Sequence, residues 1–500
     1  MRIGICIERT SFRQWHVVLR QRLERSMPDT EVYIRVDDSR HAVAGIDFLL
    51  AFEKTTLHRG ASSICDPAAP APETMREDPS SRPDVLIDLA GRATSADAAL
   101  ILRPLFEGST SEEAAAALVL EGRMPTLSVV DATGRTLAWG APSAEYVDSL
   151  TRGMEAIFSR TMALIMRALA TPEVSEPRRF DAPPPVRDSA LVRYALRNLA
   201  MNCARALHRL CFYSPQWRIG WRWIDGPGVF ERGDLGGAPW RVLADPGDHF
   251  YADPFPVEWM GRAFIFFEDF DHRTGLGSIA AIELDGDGPK GRAISVLAEP
   301  WHLSYPFIIE HDGVLWMIPE SSSHGAIAIY RCIAFPHRWE RCGTLVEDVE
   351  AADSTIFNHN GRFWMTSSVR DGLGGPSDML AIHSSATLLG PWTAHDLNPT
   401  LIDVSAARPA GRVFESGGQL WRPVQDCLNG YGRELRIARI DRLDQKHFQQ
   451  TFVSQIRADA AWPGGHVHTL NRINRLECID GRTRNPKIAA LRRFASTGAG

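Results

Sequence analysis

Two different rhythms of apolar positions divide the chain. Over the first 170 residues, short apolar runs rich in β-branched side chains alternate with stretches of helical period. The runs are RIGICI (2–7), EVYIRV (31–36), DFLLAF (47–52) and DVLIDLAG (84–91), and the clearest helical stretch runs from Phe12 to Met27. That alternation predicts an α/β unit with a mostly parallel sheet. PTLSVVDATGRTLAWG (125–140) reads as a hairpin turning at Ala132-Thr133-Gly134, and Ser143 is a plausible N-cap for a long helix to Ala170. Proline-rich stretches at 66–83 and 171–188 read as a loop insertion and as the linker closing this unit.

A helix is predicted over Ser189 to Tyr213. Arg193, Arg197, Arg205 and Arg209 share one face, opposite Leu196, Leu199, Leu207 and Leu210. Such a helix can lie on an anionic membrane surface or pack its leucines on a neighbouring domain.

From Trp217 onward the rhythm changes to short strands and tight turns, and it repeats. Asp253, Tyr305, Asp353 and Ala410 each stand eight residues before a turn glycine (Gly261, Gly313, Gly361, Gly418), and intervals of 52, 48 and 57 residues separate them. Each turn leads into an aromatic or apolar strand: RAFIFFE, VLWMIPE, RFWMTSS, QLWRPVQ. A period near 50 with several strands per unit predicts propeller blades. A fifth unit around GGHVHTLNRI (464–473) would complete the ring, with WRIGWRWID (217–225) closing the last blade from the other end of the domain and removing an exposed sheet edge. The expected organisation is therefore an α/β domain over 1–171, linker and basic helix over 172–213, an all-β five-bladed propeller over 214–485 and a tail over 486–500.

Composition narrows the function. With 44% hydrophobic and 23% charged residues and a net charge of -6, the chain has no broad basic field, so nucleic acid is not an expected partner. The eight cysteines contain no CxxC pair; reduced, mostly buried thiols are expected rather than zinc or a disulfide framework. MRIGICIERT has the pattern of a first strand rather than a leader, and no apolar stretch reaches the roughly 18 residues that span a bilayer. A cytoplasmic location, peripheral to an inner membrane if the basic helix binds one, is the expectation.

Residues that begin the inner strands of a propeller face its axis. The repeat therefore brings Asp253, Tyr305, Asp353, the Arg408 to Arg412 segment and one of His466 and His468 to one funnel, with Glu268, Glu320, Ser368 and Gln425 forming a second ring fifteen residues on. Paired carboxylates suit glycosidic-bond chemistry, one protonated to assist the leaving oxygen and one ionised. Glu320 and Asp253 are the expected acid and base, with Asp353 tuning them. Turn, capping and blade-tying roles compete for Asp253 and Asp353. Glu268, followed by Asp269 and Asp271, could equally belong to a solvated loop. Arg408 and Arg412 would hold an anionic group, or pair internally with Asp353 or Glu320. No HxH or HExxH helix supports a catalytic metal, and no cofactor is expected. Trp316, Trp339, Trp364 and Trp421 are assigned to the packing between blades.

The ordered run FYADPFPVEWMGRAFIFFE, LSYPFIIEHDGVLWMIPESS, IYRCIAFPHRWE, ADSTIFNHNGRFWM, RPAGRVFE and HTLN resembles the propeller at the N-terminal side of plant glucosamine inositolphosphorylceramide transferases. More distantly it is similar to the five-bladed propeller of glycoside hydrolase family 43. The first resemblance covers about 220 to 480. It implies a sugar-related role; in the plant enzymes sugar transfer is attributed to a separate C-terminal domain, which has no counterpart here. The second implies that Asp253, in ADPF, matches a catalytic base. Those hydrolases use an Asp in blade two and a Glu in blade three, where this chain has Tyr305 and Asp353, with Glu320 displaced to another strand. The first 170 residues resemble a formyltransferase-type α/β domain, yet His16, His41 and His58 lack that family's catalytic context, so folate-dependent formyl transfer is not expected. A degenerate domain used for docking, or for a different donor, is expected instead; a further alternative, that this domain carries the chemistry, is opposed by its lack of clustered titratable residues.

The expected function is that of a carbohydrate-active protein. It would be an enzyme of glycosyltransferase or glycoside hydrolase type acting in bacterial envelope glycan or glycolipid biosynthesis, on a sugar, nucleotide-sugar or glycolipid substrate. The alternative is a non-catalytic sugar-binding or scaffold protein of the same pathway.

Overall fold

The computed structural model describes residues 1–37, 44–68, 82–145, 147–170 and 188–487. Most of both proline-rich segments, His41 and nearly all of the expected tail lie outside them. The chain forms two compact units, Met1–Leu199 with Asp371–Gly375 and Ala200–Arg370 with Pro376–Gly500.

The first unit is a six-stranded sheet with helices. Its strands are β1 (Arg2–Glu8), β2 (Glu31–Asp37), β3 (Val85–Asp88), β4 (Leu100–Phe106), β5 (Leu127–Val130) and β6 (Thr136–Gly140), in the order β2-β1-β3-β4-β5-β6. The first four are parallel and the 125–140 hairpin adds β5 and β6 antiparallel. The helices are α1 (Gln14–Ser26), α2 (Ala44–Thr56), α3 (Glu112–Glu121) and α4 (Leu150–Ala170). The run DFLLAF, read as a strand, lies in α2. Ile46 and Leu50 are buried while Phe48 and Phe52 are exposed, so the run follows a four-residue spacing and not a strand's alternation. α4 begins at Leu150, later than expected, and Ser143 instead accepts a hydrogen bond from the Glu145 amide.

A helix α5 (Asp188–Cys211) follows. Its leucines do not pack as a core face: Leu196, Leu199, Leu207 and Leu210 are 62, 62, 63 and 74% exposed. No helix among the described residues is long and apolar enough to cross a membrane. Of the eight free cysteines four are buried, fewer than expected, and Cys203 and Cys342 are exposed.

The second unit is a five-bladed β-propeller. Blade one is His249–Trp259, Arg262–Asp271, Leu276–Leu284 and Pro289–Leu297. Blade two is Ser304–His311, Val314–Glu320, Ile327–Ala334 and Arg338–Val346. Blade three begins with Glu350–His359, Arg362–Arg370 and Met379–Ser385, and blade four with Phe414–Ser416, Gln419–Asp426 and Glu434–Leu443. Blade five joins Leu470–Ile473 and Leu476–Arg482 to Trp217–Trp223 and Arg241–Leu243, so the two ends of the domain share one sheet and no blade edge opens the ring.

The apolar second strands explain the closure. In RAFIFFE, Phe266 packs with Ile308 and Met317 of blade two, and its neighbour Phe267 packs with Trp221 and Cys478 of blade five. Successive side chains face opposite sides of a strand, so a continuous apolar run serves two interfaces at once. Similar clusters join blades two to three, three to four and four to five; Trp316, Trp364 and Trp421 sit in these, and Trp339 sits in the cluster between blades one and two. Each fully buried phenylalanine contributes about 2 to 3 kcal/mol. Paired left-handed residues turn the first hairpins: Met260-Gly261, Asp312-Gly313, Asn360-Gly361 and Gly417-Gly418 all have positive φ.

Candidate functional site

The repeat register has a backbone cause. Asp253, Tyr305 and Asp353, the residues eight before the turn glycines, adopt φ of 52°, 42° and 54°. At each, the ladder of the inner strand shifts: between Ala252 and Phe255, Ser304 and Phe307, Ala352 and Thr355. This left-handed conformation is uncommon outside glycine, and bulges of this kind re-aim side chains where a sheet meets a site. Directly across from the residue before each bulge stand Glu268, Glu320 and Ser368, which places the second ring beside the first. In blade four the Arg408 carbonyl accepts from the Gln425 amide, so Arg408 occupies the inner position there.

Five carboxylates and two cationic groups gather at this level. Arg408 donates from Nε to Asp353 Oδ2 at 2.7 Å, and its Nη2 lies 3.9 Å from Glu320 Oε2 and 4.7 Å, by its guanidinium carbon, from the Tyr431 ring. Gln425 Nε2 donates to the same Asp353 oxygen at 3.1 Å. On the other side, His468 Nδ1 is 3.0 Å from Asp480 Oδ2 and 3.3 Å from Asp253 Oδ1, while its Nε2 meets the Tyr431 hydroxyl at 2.5 Å. Asp480 also accepts from the Asp253 and Thr469 amides, and Asp253 Oδ2 accepts from the Tyr305 amide. A carboxylate thus caps the bulge amide of the next blade twice in succession, which ties blades five, one and two. Glu268 lies 3.5 Å from His302 Nε2.

Burial dominates the protonation of these groups. It raises Asp253 and Asp353 to about 7; His468 pulls Asp253 back down while Asp480 and Asp353 push it up, and Arg408 opposes the rise at Asp353 while Glu320 adds to it. Burial, then Asp253 and Glu320, hold Glu268 well above the ordinary carboxyl value. Burial works against a charged His468, but Asp480 and Asp253 outweigh it and raise the imidazole to about 9. Two carboxyl groups titrating near neutrality can each give or take a proton there. Glu320 is the most open of the five carboxylates, with a side chain 12% exposed against 0 to 8% for the others.

Other expected site residues stand elsewhere. Tyr305 is fully buried, its hydroxyl bonded to Thr355 Oγ1 at 3.0 Å and its ring edge-on to Phe255, so its side chain does not line the funnel. Arg412 is turned away from the carboxylates: it follows Gly411, at φ 147°, and its guanidinium lies over the Phe255 and Phe307 rings beside a separate cleft. Arg408, taken up by Asp353, has the internal pairing rather than a free anion-binding fork. His468 faces the cluster, and His466 lines a different cavity. Two members were not anticipated. Asp480 lies two residues nearer its hairpin turn than Glu268 does, so the fifteen-residue offset misses it, and Tyr431 comes from a loop of NGYGREL with no place in the repeat.

Asp253, His468 and Asp480 have ligand atoms within 4.8 Å of one another and could surround a cation. A cation there would have to displace the proton that His468 Nδ1, 3.0 Å from Asp480 Oδ2, shares with that carboxylate.

The first unit has a cluster of its own, contrary to expectation. Arg13 donates to Glu112 at 2.9 Å and Asp47 at 2.6 Å, and Trp15 Nε1 donates to Glu112 at 3.1 Å. With His16 they line a cavity of about 460 Å³ at the ends of β1, β3 and β4, where strand order reverses and open α/β sheets bind ligands.

Residues 243–479 match the family model for the N-terminal region of glucosamine inositolphosphorylceramide transferase 1. The transferase of that name from Arabidopsis thaliana is 32% identical over 229 residues, which are 44% of this chain and 30% of the plant protein. That from Oryza sativa subsp. japonica is 31% identical over 233 residues, 45% of this chain and 31% of its own length. The match thus spans less than a third of these relatives. Among solved structures, a thermostable family-43 glycoside hydrolase aligns at 16% identity and TM-score 0.32 over 45% of this chain and 78% of its own. Zg3597, a family 117 glycoside hydrolase from Zobellia galactanivorans, aligns at 12% identity and TM-score 0.34 over 53% of this chain and 90% of its own.

Proposed function

We propose that this is a carbohydrate-active protein whose propeller funnel binds a sugar-bearing substrate and transfers or cleaves a glycosyl unit, in envelope glycan or glycolipid biosynthesis. The observation that carries the reading is the pair of carboxyl groups held near neutrality, Asp253 and Asp353, beside the more open Glu320. Glu320 acts as acid on the leaving oxygen and Asp253 as base, with Arg408 keeping Asp353 available as an anion. The family match over the propeller supports a sugar-related ligand. A peripheral place at an anionic membrane, through the exposed leucines and flanking arginines of α5, and a formyltransferase-like ancestry for the first unit belong to the same proposal.

The second reading, a non-catalytic sugar-binding module, draws on the capping of the Tyr305 amide by Asp253, a structural duty. Calorimetry and turnover assays against nucleotide sugars and short acidic oligosaccharides, with wild type and Glu320→Gln, separate the two. Turnover lost with binding kept supports catalysis, and binding without wild-type turnover supports the module. No binding across the panel sinks both.

A further inference from the structure

A cavity of about 590 Å³ lies where the strands of blade five meet the end of α5. Its walls carry Arg218, Arg433, Arg482, Arg484, His208 and His466, and no aspartate or glutamate. In a chain with 61 acidic against 55 basic residues, that is a local reversal of sign.

The arginines are not spent on the fold. Among the described residues none of the four pairs with a carboxylate. Arg433, Arg482 and Arg484 are exposed. Arg218 donates to the Pro463 carbonyl and lies over the Trp462 ring at 4.3 Å, while its Nε is buried without a partner. Like charges brought into one concavity repel, an arrangement that becomes favourable when a multiply charged anion enters. Guanidinium groups present paired donors that match phosphoryl oxygens, and several forks around one tetrahedral dianion give charge-assisted hydrogen bonds that a single carboxylate cannot use as fully.

The cavity also borders the funnel cluster. Trp217 stacks on His468 at 4.6 Å and meets His466 edge-on at 6.3 Å, so one indole separates a histidine of the cavity from the histidine of the cluster.

We propose that this cavity is a phosphoryl-binding site, taking the phosphate or pyrophosphate group of a nucleoside diphosphate or of a phospholipid headgroup. It stands whether or not the funnel is catalytic. The test is titration calorimetry of the full chain with pyrophosphate and with inorganic phosphate at low salt, and sedimentation with phosphatidylglycerol against phosphatidylcholine vesicles. The expected result is pyrophosphate or phosphatidylglycerol binding that falls at least about tenfold in Arg433→Gln/Arg482→Gln, with an unchanged Tm because both side chains are exposed. Pyrophosphate binding without vesicle binding assigns a soluble source; vesicle binding lost in the double variant assigns a headgroup. Absence of both, or binding undiminished in the double variant, overturns the proposal. So does vesicle binding that survives it but is lost in Leu207→Gln/Leu210→Gln with pyrophosphate silent, which places the contact on α5.

Discussion

His16 in the α/β unit and His468 in the propeller are both buried, yet at neutral pH the first is uncharged and the second is a cation. Burial and the Arg13 guanidinium push His16 down to about 3, and its Nδ1 accepts from the Arg13 amide at 2.9 Å, so the ring is neutral with its proton on Nε2. His468 rises to about 9 because Asp480 and Asp253 outweigh the same burial. Burial, common to both, does not decide the outcome; the neighbours do. In the first unit a permanent cation, Arg13, already answers Glu112 and Asp47. In the propeller five carboxylates face one guanidinium, and the histidine must supply the second positive charge.

The largest expected effect is from Asp480→Asn. It removes the anion that holds His468 and weakens acceptors for the Asp253 and Thr469 amides, and should cost about 3 to 5 kcal/mol in denaturant unfolding of the propeller. A loss under about 1 kcal/mol would show that His468 is not held as a cation. Arg408→Gln leaves Asp353 without its ion pair though still bonded to Gln425, and a cost of about 2 to 3 kcal/mol is expected, with a recovery at acid pH as Asp353 takes up a proton.

The two units should also respond to pH in opposite directions. His468 is raised above its unfolded value of 6.5, so its contribution is complete below 6.5 and is lost as pH climbs through 9; the raised Asp253 and Asp353 act in the same sense, favouring the fold as pH falls from 7 toward 3.8. His16 is lowered, so its contribution is present above 6.5 and is lost as pH falls from 6.5 toward 3. Hydrogen exchange resolved by unit should find the propeller weakening on the alkaline side and the α/β unit on the acid side. Histidine nitrogen NMR that finds both rings titrating near 6.5 would remove the contrast. The smallest effect expected is from Glu112→Gln, about 1 kcal/mol by the same denaturant measurement, because Arg13 keeps Asp47 and the side chain is 19% exposed.

Much of the propeller was legible for a reason local to the chain. Each first hairpin is a two-residue turn of fixed geometry, so equal spacing back from its glycine is equal height on an inner strand, and Asp253, Tyr305 and Asp353 share one bulge. The limits are as local. Tyr305 shares the position but not the duty, since an aromatic side chain with that backbone found an apolar home against Phe255. Phe48 and Phe52 made an amphipathic helix look like a strand because an exposed apolar residue is indistinguishable from a buried one in sequence.

What lies outside any repeat needed the folded chain. Asp480 meets Asp253 across 227 residues, Arg13 meets Glu112 across 99, and Tyr431 arrives from a loop. Periodicity, turn chemistry and composition act between near neighbours, and from them follow the blades, the ring of funnel positions and the α/β alternation. Which carboxylates share a proton, which arginines stay unpaired and which histidine is charged depend on distances between remote segments. A pKa is set by the few ångströms around a group, and only tertiary packing chooses what fills them.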